Sequence, residues 1–124
     1  MEIKTATPEM VVVKLYEGAL RFIRQAKECQ DEGQVAGRAT AIAKALAIVG
    51  ELQQSLNLEE GGEIARNLDS LYFYVTDRLL EANVRGTVQP LDEASGVLST
   101  LNEAWVEISK RPGATPDARA SVPG

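Results

Sequence analysis

Histidine is absent from this chain of 124 residues, and cysteine occurs once, at Cys29. Without histidine the chain lacks the commonest general base, a common zinc ligand and the Glu-x-x-His motif of di-iron bundles. A single cysteine forms no disulfide within the chain, which is typical of a reducing compartment. We therefore predict a cytoplasmic protein that is not an enzyme and that has no catalytic residues, no metal site and no cofactor.

Positive charge and long apolar runs are also scarce. The chain has 13 basic and 18 acidic residues, and its net charge of −5 argues against binding to nucleic acid or to anionic membranes. No segment approaches the roughly 18 unbroken apolar residues of a membrane span, so we expect no membrane insertion. A phosphate-binding loop, a dinucleotide-binding glycine motif and a nucleophile elbow are absent as well.

Aromatic residues make up only 5% of the chain, whereas alanine, valine and leucine supply much of its 44% hydrophobic content, which favours packed helices. Pro8 suits the first turn of a helix, and Gly86 suits the end of one. Helices are predicted over about 8–31, 34–56, 62–84 and, from a start between 87 and 90, to 110. Breaks this short force consecutive helices to run antiparallel. The prediction is an all-α fold, an antiparallel up-down four-helix bundle, with or without a short N-terminal cap segment.

The two ends of the chain depart from the helical pattern. Residues 1–7 precede the first helix as an N-terminal arm, and residues 8–110 form the bundle domain. Residues 111–124 contain three of the five prolines and lack an apolar periodicity. We predict that this last segment is a disordered tail.

Apolar residues recur every three or four positions along each predicted helix, as in a coiled-coil seam. In the third helix the seam comprises Ile64, Leu68, Leu71, Val75 and Ala82, and in the first Val12, Leu15, Ala19, Phe22, Ala26 and Cys29. The first two helices carry a second apolar stripe, about 100° round the helix. These stripes are Val13, Tyr16, Leu20 and Ile23, then Ala41, Ala45, Ile48 and Leu52. Such stripes either complete the flanks of the core or await a partner helix, and both interpretations stay open.

Three aromatic residues are consecutive in the third predicted helix: Tyr72, Phe73 and Tyr74. Successive side chains of a helix lie about 100° apart, so the three cannot all face the core. With the seam turned inward, the two tyrosines lie on opposite flanks, where each buries its ring and keeps its hydroxyl in water. Phe73 points away from the core, with Leu80 on the same line. It is either a singly exposed aromatic or a contact with a partner or a second copy.

Long stretches of the sequence are similar to one known family. The opening "TATPEMVVVKLYEGALRFIRQAKE" resembles a T-A-S-P-E-Q-L-V…L-Y-D-G-A helix. The block "ELQQSLNLEEGGEIARNLDSLYFYVTDRLLEAN" resembles an E-L-x-x-S-L-[ND] helix end followed by G-G-E-I-A-x-N-L-x-x-L-Y-x-Y, and "PLDEASGVLSTLNEAW" a final helix ending in Trp. These motifs are those of the flagellar secretion chaperones that guard flagellin, the FliS family. The resemblance covers about residues 3–107, in order and with few gaps.

The resemblance implies both a fold, the four-helix bundle, and a biological function. It implies an export chaperone that binds the disordered C-terminal segment of flagellin, prevents premature polymerisation and assists delivery to the flagellar type III export apparatus. The implied partners are that flagellin segment and a component of the export gate, with other flagellar regulators as further candidates. The protein is expected to be a monomer or a weak homodimer. The alternative is a helical adaptor or regulatory protein that binds another flagellar or export component.

Two features depart from the family's pattern. Family members usually carry ten or more residues before the T-A-S-P motif, including an aromatic residue that folds over a binding pocket. The arm of this chain is short by comparison, with Ile3 at the remaining apolar position. Phe73 stands where the family's L-Y-D-Y motif has an acid. We predict that Phe73 marks a contact particular to this protein, or a crystal or dimer contact.

The residues assigned to flagellin binding combine the second stripe of the second helix with apolar positions near the arm and the two tyrosines. Taken singly each is also a natural core residue, whereas the set favours a contact surface. The candidates are Ile3, Met10, Tyr16, Ala41, Ala45, Ile48, Leu52, Leu56, Tyr72 and Tyr74. Gly18 and Gly50, inside helices, are predicted to allow close packing, since glycine there costs about 1 kcal/mol relative to alanine.

Overall fold

Four α-helices form the part of the chain that the computed structural model describes, residues 8–110. They are α1 (Pro8–Asp31), α2 (Val35–Gln54), α3 (Gly62–Arg85) and α4 (Gln89–Ser109). The all-α prediction is confirmed, and each helix end lies within two residues of its predicted position. The predicted arm with Ile3 and the predicted tail lie outside the described residues, so both stay predictions.

The helices pack as a square in chain order. α1 and α3 each pack against both α2 and α4, whereas the diagonal pairs share no close backbone approach. Ion pairs show the antiparallel direction of two neighbouring pairs. Lys27, late in α1, lies 2.6 Å from the Asp92 carboxylate early in α4, and Arg78 of α3 lies 3.1 Å from Glu93 of α4. The predicted four-helix bundle is therefore confirmed.

Polar side chains tie three helix ends together at one end of the bundle. Gly86 ends α3 in the left-handed conformation, at a φ of 66°, and its amide donates to the Ala82 carbonyl over 2.8 Å. The Gln30 side chain donates to the Gly86 carbonyl, and Arg38 donates to the Gln30 side chain (2.6 Å) and to the Asn83 carbonyl (3.2 Å). These bonds satisfy carbonyls that the end of a helix leaves without intrahelical partners.

One line of side chains from each helix forms the core. The buried apolar residues are Val12, Tyr16, Ala19, Ile23 and Ala26 of α1, Ala41, Ile42, Ala45, Val49 and Leu52 of α2, Ala65, Leu68, Tyr72, Val75, Leu79 and Ala82 of α3, and Leu91, Ala94, Leu98 and Trp105 of α4. In α1 the line runs between the two predicted stripes. It takes Tyr16 and Ile23 from the second stripe, and it leaves Leu15 and Phe22 of the predicted seam half-buried on its flank.

The predicted rotation of α3 is wrong by about 40°, less than half of the 100° between successive residues, since Leu68, Val75 and Ala82 of the predicted seam are buried. Ile64, predicted to face inward, is 65% exposed, and Tyr72, predicted to lie on a flank, is buried. The physical reason is that the Tyr72 hydroxyl finds a hydrogen-bond partner inside the core, so the ring has no need of a wet flank. The outward direction of Phe73 is confirmed at 62% exposure, whereas Tyr74, predicted to bury its ring on the other flank, is 43% exposed.

Two tyrosines meet at the centre of the bundle. Tyr16 of α1 and Tyr72 of α3 belong to diagonal helices, and their hydroxyl oxygens are 2.5 Å apart. One side-chain hydrogen bond thus joins two helices inside the apolar core, although their backbones do not approach each other.

Two glycines let α1 and α2 approach closely. A Cβ atom on Gly18 would lie 3.2 Å from the Ile48 side chain, and one on Gly37 would lie 2.8 Å from the Cys29 sulfur. The close-packing role predicted for Gly18 is therefore confirmed. The same prediction for Gly50 is wrong, since nothing lies within 4 Å of the position its Cβ would take.

The surroundings of two glycines in α2 predict different changes in the free energy of unfolding when each is replaced by alanine. Gly50→Ala is expected to raise the free energy of unfolding by about 0.5–1 kcal/mol, because it adds helix propensity in open space. Gly37→Ala adds the same methyl group at a position where the Cys29 thiol must move to make room. The free energy of unfolding should therefore rise less than in Gly50→Ala, or should fall. Urea unfolding followed by circular dichroism measures both, and equal gains would contradict the packing described here.

The buried tyrosine pair predicts a loss of stability on removing one hydroxyl. Tyr16→Phe removes the buried hydrogen bond with the Tyr72 hydroxyl, and it should lower the free energy of unfolding by about 1–3 kcal/mol. Tyr74→Phe is the matched control, because that hydroxyl lies on an exposed residue. Its effect should stay within about 0.5 kcal/mol. Equal effects in urea unfolding would contradict a structural role for the pair.

Candidate partner-binding surface

The predicted binding residues do not form one surface. Tyr16, Ala41, Ala45, Leu52 and Tyr72 are buried, Ile48 and Leu56 are half-buried, Met10 and Tyr74 are exposed, and Ile3 lies outside the described residues. A buried side chain reaches a partner only if the bundle opens. The structure therefore favours the core interpretation for these five residues, because most of the second stripe of α2 forms core. The binding role of the ten residues stays a prediction.

Exposed apolar side chains instead follow one line on α3. Phe73, Leu80 and Val84 are spaced seven and four residues apart, which places them on one side of a helix. Their exposed fractions are 62%, 49% and 84%, far above those of the core. Val35 at the start of α2 is also 61% exposed. These four large side chains leave much of their surface in water.

Hydrogen bonds between α2 and α3 fix how the two helices lie side by side. Arg38 reaches the Asn83 carbonyl, and the Gln53 side chain donates to the Asp69 carboxylate over 3.0 Å. Leu46, midway along that part of α2, is therefore level with the stretch of α3 between Phe73 and Leu80. Val35 lies at the same end of the bundle as Val84.

Small residues cover the outward surface of α2 beside this line. They are Ala39, Ala43, Ala47 and Gly50, all exposed or half-buried. With Val35, Leu46, Phe73, Leu80 and Val84, they make up what we call the α2–α3 face. From Phe73 to Val84 the face runs about 16 Å, or three helical turns. A smooth wall of alanines beside a row of large apolar side chains suits an amphipathic helix laid along it.

Polar groups near the α2–α3 face are largely engaged within the bundle. Asp69 accepts from Gln53, and the Asp77 carboxylate pairs with Arg78 at 2.7 Å. Arg78 also lies over the Tyr74 ring, 5.9 Å from its centre. A partner on this face therefore gains more from apolar contact than from charge.

Residues 8–110 meet neither the requirements of a metal site nor those of a membrane-spanning helix. That part of the chain contains no group of cysteine, aspartate and glutamate side chains placed to hold a metal ion. None of its helices is long and apolar enough to cross a membrane.

The central tyrosine has a perturbed acidity. Burial raises the pKa of the Tyr16 hydroxyl above its ordinary value, and the hydrogen bonds with Tyr72 and Trp105 offset part of the rise. The folded protein thus holds this hydroxyl neutral at the centre of the core.

The fold and the face define a class of protein, a four-helix bundle with an exposed apolar surface. The family model described as Flagellar protein FliS matches residues 1–112. The chain is 37% identical over 110 residues to the flagellar secretion chaperone FliS of Salmonella typhimurium, covering 88% of this chain and 82% of that protein. It is 36% identical over 108 residues to the flagellar secretion chaperone FliSB of Pseudomonas aeruginosa, covering 87% and 86%. The chain belongs to the FliS family of flagellar secretion chaperones, which is not a family of enzymes.

In the second helix the three- and four-residue spacing predicts an inward seam of Val35, Ala39, Ile42, Leu46, Val49 and Leu56. The structure instead leaves Val35 exposed and Leu46 half-buried. The available signal for the exposed line was the seven- and four-residue spacing of Phe73, Leu80 and Val84, which marks a second apolar line on α3.

The raised pKa of Tyr16 predicts a specific loss of stability in alkali. Above its ordinary pKa of 10.0 the unfolded chain releases this proton while the folded chain retains it, so the free energy of unfolding falls as pH rises. Wild type should therefore lose more stability than Tyr16→Phe between about pH 8 and about pH 11. The difference in the free energy of unfolding between wild type and Tyr16→Phe, measured by urea unfolding, should therefore narrow as pH rises. Tyr74→Phe is the control. Parallel pH profiles for wild type and Tyr16→Phe would contradict the prediction.

Proposed function

We propose that this chain is a cytoplasmic export chaperone that binds the disordered C-terminal segment of flagellin on the α2–α3 face. By doing so it prevents premature polymerisation and assists delivery of flagellin to the flagellar type III export apparatus. The names of its relatives and the family resemblance support this proposal. The observation that carries it is the unpartnered row of Phe73, Leu80 and Val84 beside the small residues of α2.

The α2–α3 face has the chemistry that a disordered client needs. A segment without a core of its own becomes ordered only if binding buries enough apolar surface to offset its lost conformational entropy. Burial of about 1,000 Å² would contribute ~25 kcal/mol before the costs of ordering and association. A client helix with apolar residues at every third or fourth position would meet Phe73 and Leu80 on one side and the alanines of α2 on the other.

Holding the segment on the bundle explains both parts of the function. A segment that is helical and covered cannot join other flagellin subunits, because its association surface is occupied. The same complex offers the export gate a defined particle in place of a mobile chain. The exposed Met10 and Tyr74 and the half-buried Ile48 and Leu56 stay candidate contacts outside the α2–α3 face.

The proposal predicts tight binding of the flagellin C-terminal segment, about 50 residues long, with coupled folding. Calorimetric titration should give one segment per chain with a negative heat-capacity change, and circular dichroism should show gained helicity. Leu80→Asp and Val84→Asp should each weaken binding about tenfold or more, because they place a charge in the apolar face. Ile64→Asp is the matched control, an equally exposed apolar residue of α3 outside this face, and should change affinity less than about twofold.

Three outcomes would count against this proposal. Absence of binding at tens of micromolar would reject the flagellin segment as the client. Binding that Leu80→Asp and Val84→Asp leave unchanged would reject the α2–α3 face. Binding of a folded flagellar or export component, with no gain of helicity, would indicate the helical adaptor instead.

A further inference from the structure

Two positively charged side chains lie against one half-buried ring on the outer surface between α1 and α2. The ring belongs to Phe22 of α1. The exposed Arg21 places its guanidinium 5.3 Å from the ring centre, and the exposed Lys44 of α2 places its ammonium 5.5 Å from it. A ring attracts a cation through its quadrupole and leaves the positive charge in place. This surface therefore carries two positive charges beside one apolar patch.

Neither of the two cations forms an ion pair within residues 8–110. Glu17 lies one turn before Arg21, but it is on the opposite side of Arg21 from Phe22. The guanidinium over the ring is therefore turned away from that carboxylate. Glu28 lies two turns after Arg21, about 10 Å further along α1. Within one turn of Lys44 on either side, the sequence contains no acidic residue at all.

The remaining acid on this surface has its own cation. Glu51 follows Lys44 by two turns, towards the end of α2. The close approaches at Gly18 and Gly37 fix how the antiparallel helices α1 and α2 lie side by side, and they place Lys14 nearly level with Glu51. These two opposite charges offset each other at that level. The pair of positive charges beside the ring is left without a counter-charge.

A pocket of about 380 Å³ opens beside Lys44, towards the end of α1 and the start of α2. Its floor is apolar, since Ala41 is buried and Cys29 and Gly37 are half-buried. Its rim consists of exposed side chains that are polar or charged: Gln25, Thr40 and Lys44. This volume is near the lower limit for a binding pocket, which suits side chains of a peptide. We call this pocket, with Arg21, Phe22 and Lys44, the α1–α2 site.

We propose that the α1–α2 site binds an acidic segment of a protein partner. Carboxylates of that segment pair with Arg21 and Lys44, and an apolar side chain next to them enters the pocket at Cys29. Charge complementarity identifies this occupant. The chain as a whole has a net charge of −5 and repels an acidic segment, so a local pair of free cations directs the segment to this site.

The α1–α2 site is separate from the α2–α3 face. Lys44 and Leu46 lie about 160° apart around α2, so they are on opposite sides of that helix. Both surfaces can therefore be occupied at once. The inference does not depend on flagellin being the client of the α2–α3 face.

The probe is a fluorescent peptide of about 12 residues that contains glutamates and leucines, and the comparison peptide has lysines in place of the glutamates. Fluorescence anisotropy should show saturable binding of the glutamate peptide that weakens as salt rises, because exposed charges are screened. Arg21→Glu and Lys44→Glu should each weaken it about tenfold and should improve binding of the lysine peptide. Arg66→Glu is the matched control, the same change of charge on an exposed residue of α3, and should change affinity less than about twofold.

Cys29 provides a second readout, because it is the single cysteine of the chain and lines the pocket. Iodoacetamide is uncharged, so its reaction with this thiol reports access to the pocket. Saturating glutamate peptide should slow the alkylation about fivefold or more, as followed by mass spectrometry, since a bound peptide covers the thiol. The lysine peptide should leave the rate unchanged.

Four results would overturn the proposal. No binding at about 100 µM, or equal binding of the two peptides, would reject an acidic segment as the occupant. An equal loss of affinity in Arg66→Glu and Lys44→Glu would reduce the effect to net charge. Binding that leaves the alkylation rate of Cys29 unchanged would place the peptide elsewhere. Tighter binding of a single-stranded DNA of the same length would make nucleic acid the ligand. Circular dichroism of every variant verifies that the bundle is folded.

Discussion

The hydrogen bond between Tyr16 and Tyr72 is the constraint on which the rest of the bundle depends. A square of four helices leaves its diagonal pairs apart, so only long side chains can join them. These two hydroxyls meet at 2.5 Å inside an apolar core, where either one alone would be costly to bury. Because Tyr72 must point at Tyr16, the rotation of α3 about its axis is fixed. That rotation directs Phe73 to one side of α3 and Leu71 to the other.

Alanine and glycine give α2 two different surfaces. On the α1 side, the missing side chains of Gly18 and Gly37 bring the helices so close that an added Cβ would crowd Ile48 or Cys29. On the outward side, the same kind of residue leaves a wall without projecting side chains, and Gly50 has open space around it. Small residues thus serve packing on one side of α2, and on the other they keep a surface smooth enough for close approach of a partner.

Sequence periodicity predicted the bundle, the helix ends and the outward direction of Phe73, because these depend on local spacing and on stop signals such as Gly86. It could not predict which part of a wide apolar arc is buried. In α2 both stripes are apolar, and only the neighbouring helices decide that Ala45 faces the core. In α3 the choice between Ile64 and Tyr72 depends on a hydroxyl 56 residues away in the chain. Contacts between residues so far apart in the chain do not affect the spacing of apolar residues along a helix.

The rotation of α3 about its axis sets the position of the two apolar surfaces on its opposite sides, the one at Phe73 and the one at Leu71. Any turn of α3 about its axis that buried more of Phe73 would expose more of Leu71, and the reverse. The buried tyrosine pair opposes such a turn in both directions, since either one separates hydroxyls that have no water to replace them. A partner on one surface therefore meets a helix whose other surface is already in place. A helix free to rotate would instead accommodate a partner on one surface by altering the other.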